Sequence, residues 1–170
     1  MSRQELIDFI MDQSNKVRLI RHIEGVDFEI VFKPFELVVL EQIEMDPALK
    51  VDSLVNSLSE YYYFVLKVKK HGRDLEQFYP MEEDFFMSEI SNTLENSCLS
   101  EVDKNDCNRP LDFSIVRGFG VKSTEYLLVF KRAQSDFEII FDNNNLGFHT
   151  VSFSFDNSKL KTIPTTCLVK

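Results

Sequence analysis

The sequence predicts an α+β fold: a mainly antiparallel, twisted β-sheet of seven to nine strands with about three short helices packed on it. Three observations carry that prediction. The stretch Tyr61–Lys70 (YYYFVLKVKK) alternates with period two, which sends successive side chains to opposite faces of a pleated ribbon. Residues 111–163 repeat short β-branched and aromatic runs separated by turn residues, the composition of strands. Val51, Leu54, Val55 and Leu58 recur at i, i+3, i+4 and i+7, the stripe of a helix that covers a sheet.

At the start of the chain, Ser2 and Glu5 form a capping box, each satisfying a backbone N–H that the helix end leaves open. Leu6, Ile7, Ile10 and Met11 give the apolar stripe of a helix over residues 3–13. Val17–Ile23 and Val26–Lys33 read as two strands around a Glu24-Gly25 turn, with Phe28, Ile30 and Phe32 facing inward. Pro34 interrupts, because it has no N–H to donate to a ladder. Phe35–Ile43 contains Leu37-Val38-Val39-Leu40, and β-branching favours a buried strand there. Asp46-Pro47 is a helix-start signal, so the Val51 stripe predicts a helix over residues 48–59 packed on the sheet.

Tyr61–Lys70 is the central strand. Its inner face is Tyr62, Phe64, Leu66 and Val68; its other face runs from Tyr61 and Tyr63 to Lys67 and Lys69, so the far end should meet water. His71-Gly72 then forms a turn. Phe85, Phe86, Ile90 and Leu94 predict a helix over residues 82–95 that begins with Glu82, Glu83 and Asp84, where negative charge suits the helix dipole. Leu111–Val116, Glu125–Arg132, Phe137–Asp142 and Thr150–Phe155 follow as a β-meander, with a tight loop at Asn143–Gly147. No repeat or low-complexity linker divides the chain, so 1–170 reads as a single α+β domain, with an acidic insertion over 73–110.

Composition narrows the function. An apolar content of 44% is too high for wholesale disorder. The formal charge is −9, distributed as −6 over residues 1–60, −4 over 61–110 and +1 over 111–170. An acidic surface repels phosphate backbones, so no nucleic-acid partner is expected. No run approaches the ~20 apolar residues of a membrane span, so no transmembrane segment is expected. Three cysteines are an odd count and argue against a disulfide framework. A Cys98–Cys107 loop remains open where the compartment is oxidising.

Tests for chemistry fail one by one. Asp142-x-Asn144-x-Leu146-Gly147 starts like a calcium loop but has Leu146 at the fifth position and Phe153 at the twelfth, where oxygen ligands are needed. Asp103-x-Asn105 has Asn108 in place of the glycine. His22, His71 and His149 lack a partner at zinc-site spacing. Gly118-Phe119-Gly120 lacks the third glycine of a dinucleotide site. No catalytic residue, cofactor or metal is therefore expected. The candidate binding surface is Tyr61 and Tyr63 on the sheet, with Glu82, Glu83 and Asp84 as an acidic cluster.

Three stretches together, Val17–Pro34 (VRLIRHIEGVDFEIVFKP), Ile115–Phe130 (IVRGFGVKSTEYLLVF) and Val151–Pro164 (VSFSFDNSKLKTIP), resemble uncharacterised Bacteroidetes proteins often described as hypothetical lipoproteins. The resemblance implies an envelope location in preference to the cytoplasm, and brings no catalytic residues. Lipid anchoring would require a signal and a lipid-accepting Cys ahead of Met1, since none stands near it here. The functional expectation is a non-enzymatic, envelope-associated or protein-interaction domain with a protein partner. The alternatives are an acidic cytosolic masking or immunity protein that binds a basic partner, and a hydrolase using a carboxylate pair drawn from Glu82, Glu83 and Asp84 with a histidine.

Overall fold

Alternating apolar residues need a second apolar layer to bury against, and this chain supplies it with a second sheet. The computed structural model describes residues 2–74, 83–102, 106–117, 124–143 and 148–163, without side chains at 83–87, 115–117, 143, 148 and 149. The strands are β1 (Arg18–Ile23), β2 (Val26–Lys33), β3 (Tyr61–Lys70), β4 (Arg73–Asp74), β5 (Cys98–Glu101), β6 (Cys107–Asn108), β7 (Asp112–Arg117), β8 (Thr124–Lys131), β9 (Phe137–Asn143) and β10 (Phe148–Phe155). The helices are α1 (Arg3–Met11), α2 (Phe35–Met45), α3 (Val51–Leu58), α4 (Glu83–Glu95) and α5 (Asn157–Lys161).

The α+β class and the antiparallel pairing are as the sequence predicts. Among the described residues there are ten strands, and without the two-residue β4 and β6 the number falls within the expected seven to nine. They divide into two sheets. The first has the order β1-β2-β3-β8-β7, with β4 also on β3; the second has the order β10-β9-β5-β6. The stretch after residue 111 is thus two hairpins in different sheets, β7–β8 and β9–β10, in place of one meander. A corner between them turns the chain. There, Glu101 Oε2 accepts from the backbone N–H groups of Gln134 (2.9 Å) and Ser135 (3.0 Å).

β3 is the centre of the first sheet, hydrogen-bonded to β2 on one side and to β8 on the other. Tyr62, Phe64, Leu66 and Val68 are all buried, as alternation predicts. They meet the inner face of the second sheet. Tyr62 stacks on Phe137 at 5.6 Å and Phe64 lies 4.9 Å from Phe155, ring centre to ring centre. Val151, Phe153 and Phe155 are buried, while Ser152 and Ser154 face out.

The β1–β2 turn uses positive φ at Glu24 (51°) and Gly25 (80°), the backbone that matches strand twist in a two-residue hairpin. Gly25 is fixed on a second count: a Cβ there would stand 2.8 Å from Cε1 of His71.

The other face of the first sheet is covered by helices. α1 carries the capping box the sequence predicts and packs along β2, with Leu6 and Ile10 buried. Residues 35–45 are a helix, not the predicted strand. β2 and β3 are already paired on both sides, so the segment after Pro34 finds no free strand edge beside the strands it joins. Lying over a sheet face, it must satisfy its own backbone, and only a helix does that. The run Leu37-Val38-Val39 is buried because the helix is covered on several sides.

α3 begins at Val51 rather than near 48. The Asp46 carboxylate accepts from Ala48 N–H (3.0 Å), so Asp46-Pro47 makes a turn ahead of the helix. α3 leans on α2 instead of lying on the sheet, and none of its residues is fully buried. α4 matches the predicted 82–95 helix closely and packs along β9 through Ile90 and Leu94. α5 is a helix that the sequence reading does not predict; Asp156 caps it by accepting from Lys159 N–H. Cys98 and Cys107 are joined in a disulfide that ties β5 to β6.

Candidate functional site

The sequence points first to the tyrosines of β3. Tyr61 is half-buried, opposite Lys131 of β8. Tyr63 is only 4% exposed, and its hydroxyl donates to the Leu58 carbonyl at 3.2 Å. Burial pushes its pKa up to about 12. A ring so placed offers no open face to a ligand in this conformation. Glu83 and Asp84 stand in the first turn of α4, and Glu82 lies outside the described residues. His22 bonds Asp27 at 2.6 Å and His71 packs on Gly25, at the turn end of the first sheet. Neither lines the two cavities below. The 118–120 and 144–147 loops lie outside the described residues.

Two cavities flank the sites the sequence marks. The first is a groove of about 260 Å³ between α1, α2 and the outer face of the first sheet. Ile7 and Ile10 of α1, Val31 of β2, Val65 of β3 and Leu37 of α2 make it apolar. Met11, 41% exposed, stands at its edge. The charges around it are paired internally: Lys33 with Glu41 (2.6 Å), Lys67 with Glu125 (2.8 Å) and Arg3 with Glu44 (2.5 Å). Glu41 and Glu44 keep 40% and 57% of their side chains exposed. A further pair, Arg18–Glu29 (2.7 Å), continues the row on the same face, with Glu29 directly opposite Lys67.

The second cavity, about 390 Å³, lies at the N-terminus of α2. Phe32, Phe35 and Tyr62 supply aromatic walls, Leu160 and Ile163 aliphatic ones, and Glu36, Arg132 and Lys161 the charge. Tyr62 is held in place by its hydroxyl, which donates to Asn157 Oδ1. Glu36 is 3% exposed. Its carboxylate accepts from its own backbone N–H, and Arg132 acts on it through space. No ion pair joins the two. The Arg132 guanidinium lies 5.6 Å from the Phe35 ring centre and 5.4 Å from that of Tyr62, and its Nε is buried without a hydrogen-bond partner.

Burial raises the Glu36 pKa above 4.5, with its own amide and Arg132 opposing the shift. A carboxyl whose pKa is raised by folding binds more protons folded than unfolded. Its stabilising contribution is therefore present below pH 4.5 and is lost as pH climbs through the raised value. Glu36→Gln should remove that loss. Urea midpoints of the two proteins should differ least below pH 4.5, and the variant should gain on the wild type toward neutrality. A constant difference across that range would show that Glu36 does not titrate with folding.

Neither Glu36 nor Arg132 stands out in the sequence. The one signal is an acid inside the apolar run Pro34–Leu40, a position where a buried carboxylate is costly unless something answers it.

No family model and no curated protein matches the chain. Among solved structures it is similar to a DUF4426 family protein from Pseudomonas aeruginosa PAO1, at 10% identity and a TM-score of 0.40, over 82% of this chain and 92% of that one. No described helix is long and apolar enough to cross a membrane.

Proposed function

We propose that this chain is a non-enzymatic protein-interaction domain of the cell envelope, and that its α1–α2 groove receives a basic, amphipathic segment of another protein. The groove is the observation that carries this reading. Its floor is apolar and the charges around it are already neutralised in pairs, so affinity must come from burying apolar side chains. The net charge of −9 favours a basic partner and steers it toward this face, where Glu41 and Glu44, though paired, keep part of their carboxylates exposed. The envelope location is supported by the Cys98–Cys107 disulfide, which persists in oxidising compartments, and by the resemblance of the three stretches named above.

A lysine–leucine amphipathic peptide tests the groove. In NMR titrations of the protein, its shifts should centre on Ile7, Ile10, Val31 and Val65. Met11→Glu, at an exposed position, should weaken binding roughly tenfold through lost apolar contact and a misplaced charge, and a glutamate–leucine peptide should not bind. Shifts spread over the acidic surface, indifferent to Met11→Glu, would refute the reading.

A further inference from the structure

The cavity at the N-terminus of α2 contains two charges of opposite sign that the protein leaves unanswered. Glu36 is almost fully enclosed and, among the described residues, accepts from its own amide alone. Arg132 is braced by two aromatic rings, forms no ion pair among the described residues, and carries a buried Nε with no partner. Both line the same space. A buried charge is ordinarily paired, because leaving it uncompensated is costly; Glu36 is buried, and Arg132 is partly buried with its Nε fully so. These two are close enough to feel each other, yet they do not bond.

We infer that this cavity binds a small zwitterion, an apolar α-amino acid, whose ammonium group meets Glu36 and whose carboxylate meets Arg132. The ligand supplies both missing partners at once and adds no net charge to the site. Arg132 presents a planar fork suited to a carboxylate. Phe32, Phe35, Leu160 and Ile163 surround the remaining volume with apolar surface, which suits an aliphatic or aromatic side chain and excludes a charged one. The volume of about 390 Å³ lies within the range of small-molecule sites. Asn157 contributes as a positioning residue. It holds the Tyr62 hydroxyl and, through Nδ2, the Ala133 carbonyl next to Arg132 (3.1 Å), so the wall behind the guanidinium is fixed before a ligand arrives.

Isothermal titration of the whole protein with L-leucine, 4-methylpentanoate and isoamylamine tests this. These three probes carry both charges, the carboxylate alone and the ammonium alone. L-Leucine should bind, and each single-charge analogue should bind at least about tenfold more weakly. Glu36→Gln and Arg132→Gln should each weaken L-leucine by about tenfold or more. Loss of affinity for the carboxylate analogue should follow Arg132→Gln alone. Should either variant fail to fold, the ranking of the three probes on the wild type still decides. Equal affinity for 4-methylpentanoate and L-leucine would make this an anion site and overturn the proposal. So would the absence of L-leucine binding at millimolar concentration.

Discussion

Phe64→Ala should lower the stability of the protein by about 3–5 kcal/mol, as buried phenylalanine truncations do. Phe64 is fully buried at the middle of the central strand. Its ring meets Phe32 at 5.5 Å and Phe130 at 6.3 Å within its own sheet, and Phe137 at 6.2 Å and Phe155 at 4.9 Å across the interface. It is therefore a junction through which both layers touch. The loss has two parts: the transfer energy of the ring and the void left among four neighbours that are themselves buried and have little freedom to collapse. Phe64→Leu keeps more of the volume and should cost less than half as much. Urea denaturation, read from far-UV circular dichroism, checks both. A Phe64→Ala loss below about 1 kcal/mol, no more than an ordinary substitution, would mean that the sheets do not pack at this point.

The second large effect is expected at Asn157, which is 3% exposed. Its Oδ1 accepts from the Tyr62 hydroxyl and its Nδ2 donates to the Ala133 carbonyl. Its backbone N–H donates to the Asp136 carboxylate at 2.9 Å. One side chain thus ties β3, the corner after β8 and the start of α5 together. Asn157→Ala strands a buried hydroxyl and a buried carbonyl, each worth about 1–3 kcal/mol when orphaned. The expected loss is about 2–4 kcal/mol. Tyr62→Phe alone should cost less, and the double variant should lose less than the two single losses added together, because the second change removes a group the first has already orphaned. Strict additivity would mean that Tyr62 and Asn157 do not act as a pair.

Much of the first sheet was legible in the sequence because its signal is local. Alternation placed β2 at Val26–Lys33 and β3 at Tyr61–Lys70 and assigned their inner faces, since a half-buried strand writes its burial into every second residue. The capping box at Ser2 was equally local. α2 was missed because Leu37-Val38-Val39-Leu40 has the composition of a buried strand; what makes it a helix is the lack of any free edge beside β2, a fact of tertiary arrangement. The division into two sheets was illegible for the same reason. β8 and β9 have similar compositions, and only their partners, β3 and β5, separate them. The tyrosines of β3 read in the sequence as aromatic surface, yet Tyr63 is buried with its hydroxyl on the last turn of α3. Glu36 and Arg132 are far apart in the chain and ordinary in their neighbourhoods. Their significance is that they share a cavity while lacking partners.

The position of β3 has a consequence for how the chain reaches this structure. Its first neighbour, β2, precedes it, and the two helices between them are short and local. Its other neighbour, β8, is made only after α4, β5, β6 and β7, and the layer that covers Tyr62 and Phe64 is made later still. The nascent chain thus presents a nearly complete aromatic surface long before anything can cover it. Contacts between such distant segments must overcome a loop-closure cost before they gain anything, which places the protein among slow-folding topologies. During synthesis the vulnerable species is the half-sheet of β1, β2 and β3, whose β3 edge is covered by β4 at Lys69 and Lys70 but is otherwise open, with the rings of Phe28, Phe32, Tyr62 and Phe64 exposed to self-association.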